Sequence, residues 1–154
     1  MQYSIRQASP EDAQTLGTMI YNMEVELWNE QADQLNLKDF LKAAEQLTQP
    51  DTHIWFFLAE NPDKETLGVI SVTQCAAVYA GGFYGEINEL YIKPEFRALG
   101  MGHQLIESVK RFAADKGWRM LTVTAPGKPE WQRTRNFYQR EGFEEIGPTL
   151  ELSL

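Results

Sequence analysis

Two short stretches of this 154-residue chain hold the residues that could carry chemistry, and the first of them suits a phosphorylated ligand. The first is Glu89-Leu90-Tyr91-Ile92-Lys93-Pro94-Glu95-Phe96-Arg97-Ala98-Leu99-Gly100-Met101-Gly102. Strand-forming residues run into a glycine-containing loop, and the loop opens into an amphipathic helix pattern. That layout presents free backbone N–H groups at the positive end of a helix dipole, a natural phosphate site. Its glycines let the backbone approach phosphate oxygens where a Cβ would collide. A P-loop would end in Gly-Lys-Ser/Thr, but Gly102 is followed by His103-Gln104. A dinucleotide fingerprint would need a third glycine where Leu105 stands. Both nucleotide readings fail on the residues. The second stretch is Asn136-Phe137-Tyr138-Gln139-Arg140-Glu141-Gly142-Phe143.

These residues need a scaffold. Gln2–Ala8 alternates as a first strand. Ser9-Pro10-Glu11-Asp12 reads as a helix start, with Ser as N-cap, Pro at the first helical position and acids in the first turn. Leu16, Ile20, Met23 and Leu27 follow at helical spacing. A second helix is predicted over Lys38–Leu47, with Phe40, Leu41, Ala44 and Leu47 facing in. Strands are predicted at His53–Glu60, Leu67–Ala77 and Phe83–Lys93, joined by a turn at Asn61–Lys64 and a hairpin loop at Ala80-Gly81-Gly82. A helix over Gly102–Lys116 puts Leu105, Ile106, Val109, Phe112 and Ala113 on one face. Trp118–Thr124 reads as a strand, Ala125–Pro129 as a loop, and Trp131–Glu141 as a helix ended by Gly142. Phe143–Ile146 and Thr149–Leu154 read as short strands. The order is β-α-α-β-β-β-α-β-α-β-β. It implies one α/β domain, residues 1–154, built on a mixed sheet rather than a doubly wound one. Leu90 and Ile92 share a strand face, and Ile87 has the opposite parity. The pattern fits either a bulge between 87 and 90 or a strand buried on both faces.

Composition narrows the class. The chain is 43% hydrophobic and 23% charged, which excludes a disordered segment. No apolar run approaches membrane-spanning or signal-peptide length. The single cysteine, Cys75, excludes an internal disulfide framework, and no metal-ligand spacing appears. A cytoplasmic protein without a membrane partner is expected. The net charge of −8 disfavours nucleic acid. That average hides a split. Residues 93–140 carry ten basic residues against four acidic ones, whereas the rest holds 4 basic and 18 acidic. The basic segment is either a site for an anionic ligand or a solvated face.

Arg97-x-x-Gly100-x-Gly102 resembles the Arg/Gln-x-x-Gly-x-Gly/Ala pyrophosphate loop of the GNAT superfamily of N-acetyltransferases. The preceding Glu89-Leu90-Tyr91-Ile92-x-Pro94 is similar to that family's fourth strand, and Asn136 to Phe143 to its Asn-x-x-Tyr-x-x-x-Gly-Phe segment. Order and spacing agree, and the element order fits the GNAT fold over essentially the whole chain. The resemblance implies acetyl-CoA as acyl donor. The segment Arg97, Ala98, Leu99, Gly100, Met101, Gly102 and His103 would bind the pyrophosphate through its amides. Leu90, Tyr91 and Ile92 would run beside the pantetheine arm, and Asn136 would approach it. Arg133, Arg135 or Arg140 would meet the 3′-phosphate. The family's fourth strand also carries a bulge, which splays it from its neighbour.

The implied reaction is direct transfer of acetyl to a primary amine of a small molecule or peptide. An amine with a pKa of about 10.4 is neutral in roughly one molecule in 10³ at pH 7, so a general base helps. Glu89 is the candidate base, with Glu86 its rival, and Tyr138 stands at the family's general-acid position. The first helix ends Glu24-Val25-Glu26-Leu27-Trp28-Asn29-Glu30, and its acids favour a cationic acceptor. Trp28 and Glu30 are expected at that wall, with Trp28 as a cation–π face, Tyr79, Tyr84 and Trp131 as aromatic walls and Glu86 as a further contact. A solvated acidic helix end is the competing account. Acceptor choice falls to this fold's own loops or to a second copy in a homodimer. The alternative is a non-catalytic acyl-CoA-binding module on the same fold.

Overall fold

The computed structural model describes residues 1–127 and 129–154; Lys128, in the loop expected before the last helix, lies outside them. β1 is Ser4–Gln7, α1 Ala13–Trp28, α2 Leu37–Leu47, β2 Ile54–Glu60, β3 Thr66–Ala77, β4 Gly82–Ile92, α3 Met101–Asp115, β5 Leu121–Val123 and α4 Gln132–Arg140. The strands form one sheet in sequence order, antiparallel from β1 to β4, with β5 parallel to β4. The mixed sheet expected from the element order is therefore present.

The strands alternate between two apolar layers. Phe56 and Leu58 of β2, Val69 of β3 and Tyr91 of β4 pack with Ala13, Leu16 and Met19 of α1 and Ala44 of α2. Phe57, Ala59, Ile70, Val72 and Ile87 face the other way, against Leu105, Ile106, Val109 and Ala113 of α3. α1 and α2 approach closely at Gly17, where a Cβ would lie 3.0 Å from the Leu41 backbone. The start of α1 is tied to the sheet by Arg6, whose guanidinium meets Asp12 at 2.8 Å and the buried Glu60 at 2.6 Å. Before α1, Pro10–Asp12 forms a 3-10 turn, in which the Asp12 carboxylate accepts the Ser9 N–H at 2.8 Å.

β4 carries a bulge. Ile70 pairs with Leu90, yet Val72 pairs with Ile87, so Ser71 alone stands opposite Asn88 and Glu89. The extra residue resets the parity. Ile87, Leu90 and Ile92 all pack on the α3 side despite their spacing, and Tyr91 packs on the α1 side. Of the two readings of this strand, the bulge is correct.

Two expectations fail. β5 is three residues long rather than Trp118–Thr124. Gly117, at φ 74, turns the chain out of α3, and the Trp118 N–H closes on Ala113 O at 2.9 Å. The Trp118 ring then packs against Trp55 and Phe112, so its strand-forming character is used in the core. Among the described residues, Phe143–Ile146 and Thr149–Leu154 form no strand. Ile146, Leu150 and Leu152 are 84%, 90% and 83% exposed. Alternation makes a strand only where an edge offers pairing; Thr149 Oγ1 comes within 3.3 Å of Thr124 Oγ1 just past β5, but Gly147-Pro148 interrupts the run.

Candidate functional site

β4 and β5 pair only from Gly85 opposite Leu121 to Ile87 opposite Val123. Beyond Ile87 the bulge turns β4 aside and β5 ends, so the strands part. A cleft of about 1310 Å³ opens there. Its walls are Asn88 to Ile92 of β4, Thr124 to Gly127 beyond β5, the end of α1 with Glu24, Glu26 and Trp28, the loop around Arg97, and α4.

Glu89 stands in the bulge at the centre of that wall. A bulge leaves an amide without its ladder partner. Here the Glu89 N–H donates to Ser71 Oγ at 3.1 Å, and the Ser71 hydroxyl donates to the Glu89 carboxylate. Ser71 is fully buried, so it holds the carboxylate from beneath. Burial pushes the Glu89 pKa up, the Ser71 hydrogen bond opposes the rise, and the nearby Glu24 adds to it. A carboxylate raised from its usual range is a better proton acceptor near neutral pH.

Tyr138 lines the cleft from α4 and is 8% exposed. Burial alone pushes its hydroxyl up to about 12, which keeps the proton on at neutral pH and available for donation. Its ring is set by Phe137 and Phe143, with centroids at 5.4 and 5.8 Å.

After β4, Pro94–Phe96 makes a 3-10 turn, and Ala98 and Gly100 take positive φ of 61° and 79° before α3 begins. A Cβ on Gly102 would lie 3.0 Å from Phe137 Cζ, so the loop and α4 meet where only glycine fits freely. Arg97, Ala98, Gly100, Gly102 and His103 line the cleft. Leu99 is exposed and off the lining, and the Met101 side chain is buried in the core. The Arg97 guanidinium turns from the loop to α1, where Nη2 meets Glu26 at 2.8 Å. Arg133 and Arg140 line the cleft; Arg135 is paired with Glu145 at 2.7 Å, facing elsewhere. His103 Nδ1 lies 2.9 Å from Glu141, and with Glu107 these groups bring ligand-type atoms within 4.8 Å of one another. Sequence spacing gave no sign of this trio, which the fold assembles from α3 and the end of α4. Lys110 already donates to Glu107 at 2.8 Å.

Several expected residues stand apart from the cleft. Asn136 is exposed and accepts from Gln132 at 2.9 Å within its own helix. Tyr79 is 80% exposed in the β3–β4 turn, and Tyr84 lies opposite Cys75 near it. Glu86 precedes the bulge, opposite Thr73, with its carboxylate 3.7 Å from Cys75 Sγ. The bulge falls between the two glutamates, and Glu86 is not among the residues that line the cleft. Trp28 and Glu30 do line the cleft, and the Trp28 indole donates to Glu24 at 2.9 Å. Sequence reasoning missed Ser71 and Glu26. Ser71 left a signal, as the polar residue in the run Leu67-Gly68-Val69-Ile70-Ser71-Val72. Glu26 left none beyond its place among other acids.

Known proteins resemble this chain in sequence and in fold. The family model described as an acetyltransferase (GNAT) domain matches residues 50–145. A relative from Bacillus subtilis (strain 168), "Uncharacterized N-acetyltransferase YhfO", is 24% identical over 142 residues, covering 92% of this chain and 90% of its own. The fold is shared with a ribosomal-protein-alanine N-acetyltransferase from Brucella melitensis biovar Abortus 2308, at TM-score 0.77 and 18% identity over 99% of this chain and 100% of that one. It is shared too with a "predicted acetyltransferase with acetyl-CoA" from Clostridium acetobutylicum, at TM-score 0.78 and 14% identity over 99% and 96% of the two chains.

Proposed function

The chain belongs to the GNAT acetyltransferase family, and from that premise we propose an acetyl-CoA-dependent N-acetyltransferase that passes acetyl directly to a primary amine on a cationic small molecule or peptide. The observation that carries this reading is the bulge at Asn88 and Glu89, which sets a carboxylate of raised pKa where β4 and β5 part. The positive-φ loop at Ala98 and Gly100 and the bare Gly102 Cα suit the donor's pyrophosphate. Arg133 and Arg140 offer charge for its remaining phosphate.

Acetyl-CoA supplies a thioester carbonyl and, with a thiol pKa of about 8.5, a fair leaving group. Glu89 takes a proton from the attacking amine as its nitrogen bonds to the carbonyl carbon. Tyr138 returns a proton to the sulfur as the C–S bond breaks. Glu24, Glu30 and Trp28 line the acceptor side and favour a cationic amine.

A screen of amines with acetyl-CoA, read by free CoA release and acetylated product, tests the proposal. Turnover is expected with cationic primary amines. Glu89→Gln is expected to lower kcat about 10²–10⁴-fold while acetyl-CoA binding is kept. Tight acetyl-CoA binding without turnover on any amine would instead favour the non-catalytic module.

A further inference from the structure

Arg97 is the loop residue that charge alone would assign to the pyrophosphate, yet its side chain is already committed. Its Nε donates to Ile92 O at 2.8 Å. Its Nη2 donates to both oxygens of Glu26, at 3.0 and 2.8 Å. The guanidinium carbon lies 5.4 Å from the Tyr91 ring centroid. Tyr91, nearly buried in the α1-side core, donates its hydroxyl to the same Glu26 oxygen at 3.0 Å. One carboxylate on α1 thus collects a donor from β4 and a donor from the loop.

The consequence is geometric. Ala98 follows Arg97 directly and holds φ 61°, a region that residues with a Cβ seldom occupy. Something must hold the loop in that shape, and Arg97 contacts Tyr91 and Ile92 of β4 and both oxygens of Glu26 on α1. Glu26 sits two residues from Trp28, so the clamp runs from the acceptor wall to the phosphate loop. We infer that Glu26 is a positioning residue, fixing Arg97 so that the loop amides, rather than the Arg97 charge, receive the donor's pyrophosphate. This inference rests on the loop being the donor's phosphate site, as proposed above.

The opposite role is also chemically coherent. If Arg97 were a phosphate ligand, Glu26 would be a competitor that the donor must displace. The two roles predict opposite signs. Glu26→Ala is compared with the unaltered protein on acetyl-CoA and on S-acetylpantetheine, which lacks the pyrophosphate, with one cationic amine throughout. The positioning role is supported by a KM for acetyl-CoA about tenfold higher, kcat at saturation little changed, and an unchanged KM for S-acetylpantetheine. A tighter or unchanged KM for acetyl-CoA overturns it, as does an equal loss on both donors. If Glu26→Ala does not fold by thermal melt, Glu26→Gln answers instead; it still accepts from Tyr91 but lacks the charge that holds Arg97, so the same selective loss is expected in smaller degree. Failure of the underlying reading looks different: the unaltered protein itself would then use both donors equally well.

Discussion

In the proposed reaction, Ser71 decides how well Glu89 serves as a base. Two influences push the Glu89 pKa up, burial first and the charge of Glu24 after it, and the Ser71 hydroxyl pulls it down by bonding the charged form. Removing that hydroxyl leaves only the upward influences. The basic form of Glu89 is present above its pKa and lost as pH falls through it. Ser71→Ala is therefore expected to move the acidic limb of the kcat/KM profile to higher pH, with the limb of the unaltered protein already above the ordinary carboxylate value. Measuring both proteins with the same amine cancels the titration of the acceptor. The substitution also strips the bulge amide of its partner, since Glu89 N–H donates to Ser71 Oγ. An unfolding free energy lower by about 1–3 kcal/mol is expected in a urea melt. A limb that stays in place or moves to lower pH would show that another group sets it.

At the scale of elements, the cleft depends on a short seam. Only the stretch from Gly85 to Ile87 joins β4 to β5, with Gly85 N–H also donating to Met120 O at 3.1 Å. A Cβ at Gly85 would lie 2.7 Å from Leu121 Cδ2 and from the Trp118 ring. The Leu121 methyl can turn aside, but the Trp118 ring, packed on Trp55 and Phe112, cannot yield cheaply. Gly85→Ala is expected to cost about 1–3 kcal/mol in a urea melt, as a lower midpoint at unchanged m. Much of this architecture was legible in the chain. The parity conflict at Ile87, Leu90 and Ile92 fitted a bulge or a strand buried on both faces, and the pairing of Ser71 against Asn88 and Glu89 decides for the bulge. The spacing of Arg97, Gly100 and Gly102 located the loop, since a backbone path of that kind is written in its glycines. What depends on contacts distant in sequence was not legible. Trp118 reads as a strand residue until α3 offers it Phe112. Tyr79 and Tyr84 read as aromatic walls until the hairpin carries them away from the cleft. The C-terminal alternation of Leu150 and Leu152 reads as a strand, but strand pairing depends on an edge that local pattern does not supply.

Over the whole molecule, the division between a basic segment and an acidic remainder maps only in part onto the cleft. Many of the basic side chains are spent on internal partners: Arg97 on Glu26, Lys110 on Glu107, Arg135 on Glu145, and Lys116 over Trp55 and Phe112. Arg133 and Arg140 are exposed side chains of the lining and sit on α4, and Glu24 and Glu26 line the same cleft from the end of α1. The cleft thus offers exposed cations to a polyanionic donor and acids to a cationic amine. Charges this exposed act through solvent and are screened over about 10 Å at 0.1 M salt. The KM for acetyl-CoA is accordingly expected to rise with ionic strength, while that for S-acetylpantetheine stays flat. Arg133→Gln with Arg140→Gln should raise the acetyl-CoA KM at low salt and flatten its salt dependence, leaving the thermal midpoint close to that of the unaltered protein because neither arginine is buried. Steady-state kinetics across a salt series with both donors makes the comparison. An acetyl-CoA KM as salt-sensitive in the double variant as in the unaltered protein would move the electrostatic contact off α4, to the loop or to a part of the cleft that these two residues do not reach.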